Sequence, residues 1–91
     1  MSNREGSPHS DIVLLTHRKP SQGILCRLAD NLKRYRLLRG YTQEELAARC
    51  SFKRSYVSNV EQARLNISLA NLEALAGGLE CGEEELLMRN R

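Results

Sequence analysis

The 91-residue chain has no tryptophan and only three Tyr and one Phe. A platform that stacks the bases of single-stranded nucleic acid needs more rings than that, so this class of binder is set aside. Three cysteines, Cys26, Cys50 and Cys81, stand far apart, and no CxxC or HxxxH occurs. They form no zinc motif and are odd in number, so they read as small core residues in a reducing compartment. Long apolar runs are missing too. The only early one, Ile12–Leu15, is four residues long, too short for a signal-peptide core or a bilayer span. A cytoplasmic chain with no membrane partner is therefore expected. Paired carboxylates, a nucleophile–base set and a Gly-rich phosphate loop are absent as well. The expectation is no enzyme, no cofactor, no metal and no small-molecule effector.

What is present suits one small domain: 41% apolar residues for a modest core and 27% charged residues for the surface. The net charge of +3 is unevenly spread. Residues 1–40 carry eight Lys/Arg against three acids, and residues 41–91 carry six against eight. Within residues 73–88 there are five Glu and no base. A basic face for phosphate and an acidic face turned away from it produce such a pattern, as does ordinary surface variation.

Residues 1–22 hold both prolines, both histidines, Gly, Ser and scattered charge with no helical period. They read as a flexible arm, with Arg18 and Lys19 as its basic contacts, preceding a domain at 23–91. Leu28, Leu32 and Tyr35 mark one stripe of a helix over about 24–39, which Gly40 ends. Thr42, with Glu45 three residues on, forms a capping box for a second helix ending near Arg49 or Cys50. After a turn at Ser51 and Phe52, a third helix covers about 53–62. Ser68 caps a fourth over about 69–78, with Leu69, Leu72, Leu75, Ala76 and Leu79 inward. A fifth, about 83–89, starts at Glu83–Glu85 and buries Leu86. The fold class is all-α, with five helices.

Residues 43–62, QEELAARCSFKRSYVSNVEQ, carry the function. Leu46, Cys50, Phe52, Val57 and Val60 are apolar where two short helices must touch, and Ala47 is small at their crossing. The second half offers Lys53, Arg54, Ser55, Ser58 and Asn59 on its other face. Arg matches the O6 and N7 acceptors of guanine, Asn matches adenine, and hydroxyls suit phosphate oxygens. A helix that buries a narrow face and offers donors on the other is built to lie in a major groove.

Together, LADNLKRYRLLRGYTQEELAARC, RSYVSNVEQ and NISLANLEALAGGLECGEEELL resemble the Cro/repressor-type helix-turn-helix family over about Leu28 to Leu87. RSYVSNVE followed by RLNISLANLE is most similar to the controller proteins of restriction–modification systems. The resemblance implies that Gln43 binds a phosphate and buttresses the third helix. It implies that Arg54 and Ser55 open the recognition helix and face base edges, with Ser58 and Asn59 reading bases one turn later. Tyr56 leans toward the backbone, while Arg64, Asn66 and Ser68 hold the second phosphate strand. Arg36 and Glu61 match an ion pair between the first and third helices. Five residues, in three departures, break the family's pattern. Ser51 replaces the usual turn Gly, Lys53 the usual Ser/Thr cap, Gly77-Gly78 sits inside the fourth helix, and Glu80 takes its Gly stop.

The function implied is a transcriptional regulator that binds double-stranded DNA as a homodimer on a pseudo-palindromic operator. The controller of a restriction–modification operon is the narrower form. The alternative is an antitoxin-type module that masks a partner enzyme and regulates its own operon. The C-terminal third holds more Leu than one small core hides, so Leu72, Leu79, Leu87 and Met88 are the expected dimer contacts. Leu37 and Leu38 of the first helix are the second choice.

Overall fold

The computed structural model describes residues 20–89. The proposed arm lies outside these residues except for its last three. Five helices follow one another, and no strand occurs among the described residues: α1 Gln22–Leu38, α2 Gln43–Cys50, α3 Arg54–Glu61, α4 Leu69–Leu79 and α5 Glu83–Leu87.

Four of the five starts have a side-chain cause. The Ser21 hydroxyl accepts from the Ile24 N–H, so α1 begins two residues earlier than the apolar stripe predicts. Thr42 Oγ1 accepts from the Glu45 N–H at 3.0 Å, and Glu45 Oε1 accepts from the Thr42 N–H at 2.8 Å, closing the capping box of α2. Ser68 caps α4 through the Asn71 N–H. The Glu85 carboxylate accepts from the Gly82 N–H at the head of α5.

Four of the five ends share one device. Gly40, Ser51, Ala63 and Glu80 all have positive φ, between 57° and 77°. At each, two successive N–H groups turn back to carbonyls of the last helical turn, as in Phe52 to Ala47 and Cys81 to Ala76. Only one of the four positions is a glycine. The turn after α2 therefore keeps the left-handed geometry with Ser51 in place of Gly, and α4 stops at Glu80 in the same way.

Helix α1 packs on α3, α4 and α5, while α2 packs on α3 and α4. Leu32, Leu46, Val57, Val60, Leu75, Leu79 and Leu86 form the closed centre of the core. Gly78 explains half of the Gly-Gly pair. A Cβ there would collide with Cys50 Sγ, so glycine lets α4 approach α2 closely. Gly77 faces open space.

Several expectations need correction. Leu69, read as inward, is 83% exposed, because it opens α4 beyond the edge of the core. Cys26 is exposed rather than packed, and only Cys50 and Cys81 lie against the core. Burial pushes both of those thiols upward in pKa. Leu72 and Leu79, offered as dimer contacts, are 6% and 0% exposed and belong to the chain's own core, so little of Leu72 and none of Leu79 is left for a second copy. Met88 is 56% exposed and Leu87 is partly buried. Helix α5 ends at Leu87 rather than 89. Asn31 Nδ2 donates to the Leu86 and Met88 carbonyls, and Arg27 Nε donates to that of Leu87, so α1 side chains replace a further turn.

Candidate nucleic-acid interface

Helix α3 buries Val57 and Val60 and turns Lys53, Arg54 and Ser55 to solvent. Its residues fall into two outward stripes at four-residue spacing, Arg54 with Ser58 and Ser55 with Asn59. Lys53, Ser55, Tyr56 and Asn59 line one shallow concavity together with Phe52 and Leu65. Lys53 is the N-cap residue with extended backbone, and no side chain caps the helix there. Dropping the usual Ser/Thr cap therefore leaves a long cation at the mouth of α3 and moves its start only to Arg54.

The inner end of α3 is fixed by charge. Arg36 on α1 forks onto Glu61, with Nε donating to Oε2 at 2.6 Å and Nη2 to Oε1 at 3.0 Å. The third Arg36 donor reaches the Tyr41 carbonyl at 2.8 Å. The two side chains are 9% and 4% exposed. Gln43 Nε2, at the first turn of α2, donates to the same Glu61 carboxylate at 3.1 Å. Three helices thus meet at one carboxylate, and Gln43 is held against α3 from below.

The outer residues divide into groups. The Tyr56 ring packs against Phe52 with centroids 4.6 Å apart, and its hydroxyl accepts from Asn71 Nδ2 on α4 at 2.8 Å. The hydroxyl proton is left to donate outward. Ser58 Oγ accepts from Nε2 of Gln62, the residue that ends α3. Arg64, Asn66 and Ser68 are exposed on the connection to α4, but Asn66 and Ser68 line a different groove, against α1.

Sequence reasoning missed Asn71, which orients Tyr56. It also missed the basic side chains that serve α4. Arg39 donates to the Leu79 and Glu80 carbonyls, and Arg49 to that of Gly78. Three cationic donor bonds thereby satisfy a helix C-terminus and oppose its partial negative charge. The charge counts showed these arginines, but only the fold shows that they are engaged inside the chain.

Comparison with known proteins places this geometry. A family model described as helix-turn-helix matches residues 32–86. The chain belongs to the helix-turn-helix family. A hypothetical transcription factor of Neisseria meningitidis is 42% identical over 67 residues, covering 74% of this chain and 63% of that protein. The match thus spans under two thirds of that relative's length. The restriction–modification controller protein C.AhdI of Aeromonas hydrophila is 35% identical, with a TM-score of 0.68, over 71% of this chain and 94% of that one. The controller protein C.Esp1396I, solved as a tetramer in complex with its natural 35 base-pair operator, is 30% identical with a TM-score of 0.63. That match covers 71% of this chain and 96% of the other. Among the described residues, no helix is long and apolar enough to cross a membrane, and no His/Cys/Asp/Glu group could hold a metal ion.

Proposed function

We propose that the chain is a sequence-specific binder of double-stranded DNA that regulates transcription as a homodimer on a pseudo-palindromic operator. One observation carries the reading. Helix α3 exposes Lys53, Arg54 and Ser55 and shows Asn59 one turn on, while its far end is locked at the Arg36–Glu61–Gln43 junction. A rigid helix with a cationic, hydrogen-bonding outer face suits base edges in a major groove. Gln43, which bonds to Glu61 at the end of α3, and the exposed Arg64 are its phosphate contacts, and Asn66 and Ser68, which line the groove against α1, are the outlying ones. Arg54 and Asn59 take the base edges, and Tyr56 and Ser55 take phosphate or base oxygens.

A single α3 reads only a few base pairs. Two of them, about 34–36 Å apart, read two half-sites. Met88 and Leu87 remain the candidate contacts between copies, with Leu37 and Leu38, 58% and 69% exposed, as the second patch. The two controller relatives support the narrower reading, control of a restriction–modification operon, and the relative that assembles on operator DNA supports an oligomer at work.

Selection of duplexes from a random pool, followed by anisotropy titration in two salt concentrations, tests this. A selected site should bind at least about 1,000-fold more tightly than random duplex. Affinity should fall by about 1,000-fold or more between 50 and 200 mM salt. A pool that yields no enriched sequence overturns the reading. Sedimentation of wild type and Met88→Asp at micromolar concentration tests the dimer, and a wild type that stays monomeric with and without its site rejects it.

A further inference from the structure

The hydroxyl of Tyr56 is held from a second helix. Tyr56 is the third residue of α3, half-buried, with its ring packed on that of Phe52 at a tilt of 39°. Asn71 is the third residue of α4, and its Nδ2 donates to the Tyr56 hydroxyl oxygen at 2.8 Å. A phenol oxygen carries one proton and also accepts. With Asn71 on the accepting side, the proton has to point elsewhere. The outward stripes of α3 are Arg54 with Ser58 and Ser55 with Asn59. Tyr56 is turned from them toward α4, so it stands at the edge of that face. Lys53 lines the same shallow concavity as Tyr56. A hydroxyl donor and an ammonium side by side suit one kind of acceptor, an anionic oxygen.

We propose that Asn71 is a positioning residue for DNA binding, which commits the Tyr56 hydroxyl to donate to a non-bridging phosphate oxygen and not to a base. This rests on the DNA-binding reading and deepens it. A helix seated in a major groove has base edges before its centre and phosphate strands along its flanks. Tyr56 is on the flank. Asn71 acts there without touching DNA. It takes the inward acceptor site, so the proton is already aimed outward before DNA arrives. Its donation also polarises the O–H, which strengthens the outgoing bond by roughly 10–30%. Because Asn71 belongs to α4, the same bond ties α4 to the recognition helix and places Tyr56 from two sides.

A double-mutant cycle on the full chain, titrated against a selected duplex, tests the proposal. Tyr56→Phe should weaken binding about tenfold, and Asn71→Ala about 3–10-fold. The Asn71→Ala/Tyr56→Phe chain should bind no more weakly than Tyr56→Phe alone. Asn71→Ala leaves the backbone N–H that Ser68 caps, and Ala favours a helix, so α4 keeps its start. A merely structural Asn71 would weaken binding equally with Phe at position 56, and that result overturns the proposal. So does an Asn71→Ala chain that binds like wild type. Duplexes with one phosphate replaced by a neutral methylphosphonate then locate the acceptor. At one position per half-site the replacement should weaken wild type at least about threefold more than Tyr56→Phe. If no position separates the two chains, the hydroxyl meets a base and the phosphate assignment is overturned. Failure of the DNA-binding reading itself shows earlier, as a wild type that enriches no duplex, and takes the proposal with it.

Discussion

The helix stops offer a test in which strain can be separated from contacts. Ser51, Ala63 and Glu80 hold φ near 60°, where an L side chain costs roughly 1–2 kcal/mol. Glycine relieves that cost but adds freedom to the unfolded chain, worth roughly 0.5–1 kcal/mol. The net gain on substitution is about 0.5–1 kcal/mol when the lost side chain does nothing else. Ser51 meets that condition, because its side chain is exposed and makes no hydrogen bond among the described residues. Ala63 is half-buried, and losing part of a methyl, at roughly 0.8 kcal/mol when fully buried, removes much of the gain. Glu80 gives up an ion pair to Arg49 at 3.6 Å, but its carboxylate is 70% exposed, so water and salt keep that loss small, about 0–1 kcal/mol. The expected order is therefore Ser51→Gly first, with the other two close to neutral. Thermal unfolding followed by far-UV circular dichroism suits a chain without Trp. A gain of about 1 kcal/mol raises the midpoint of a domain this size by about 4–8 °C. Gly40→Ala is the control. A Cβ there meets nothing within 4 Å, so any drop in midpoint is backbone strain alone. A Ser51→Gly midpoint at or below wild type, with Gly40→Ala unchanged, would refute the reasoning.

Glu61→Ala leaves the Arg36 guanidinium buried without its carboxylate and should cost roughly 3–5 kcal/mol. A denaturant midpoint unchanged within error would show that the junction contributes nothing. The two adjacent glycines should respond in opposite directions. Gly77→Ala should stabilise by up to about 1 kcal/mol, since its Cβ faces open space. Gly78→Ala should destabilise by about 1–3 kcal/mol by driving Cys50 away, and a Cys50→Ala second change should recover most of that. Arg54→Ala should weaken binding to a selected site by about 1–3 kcal/mol and relax preference at one base pair per half-site. A sequence logo identical to wild type would remove Arg54 from base reading.

The five helices and their order could be read in the residues because each carries its own local signal. The Thr42–Glu45 box, the Ser68 cap and the apolar stripe through Leu28 and Leu32 act within one or two turns. What escaped was set by residues far away in the chain. Nothing local distinguishes Leu69 from Leu72, yet one opens a helix past the edge of the core and the other meets α1 across it. Counting leucines put Leu79 among the dimer contacts for the same reason, although it has no exposed area left. Gly78 looked like a weakness in a helix until Cys50 was placed against it. Of the outward residues, Lys53, Arg54 and Ser55 were readable from type and position alone. The bond from Asn71 to the Tyr56 hydroxyl was not, because it links two helices through side chains with many other possible partners.

The tie between Asn31 and the carbonyls of Leu86 and Met88 has a consequence for the birth of the protein. Those partners are separated by 55 and 57 positions. At about 5–20 residues per second, a ribosome needs roughly 3–11 s to travel from one to the other. Helix α1 is thus among the first elements made and among the last to find its partners. Helices α3 and α4 can cover part of α1 earlier, but the Asn31 amide and the face of α1 that meets α5 wait through that interval. Local capping holds α1 in shape meanwhile, but the core closes only once residue 88 has left the ribosome. The nascent chain is therefore most exposed to aggregation or to a chaperone's grip in the seconds before α5 has emerged from the ribosome.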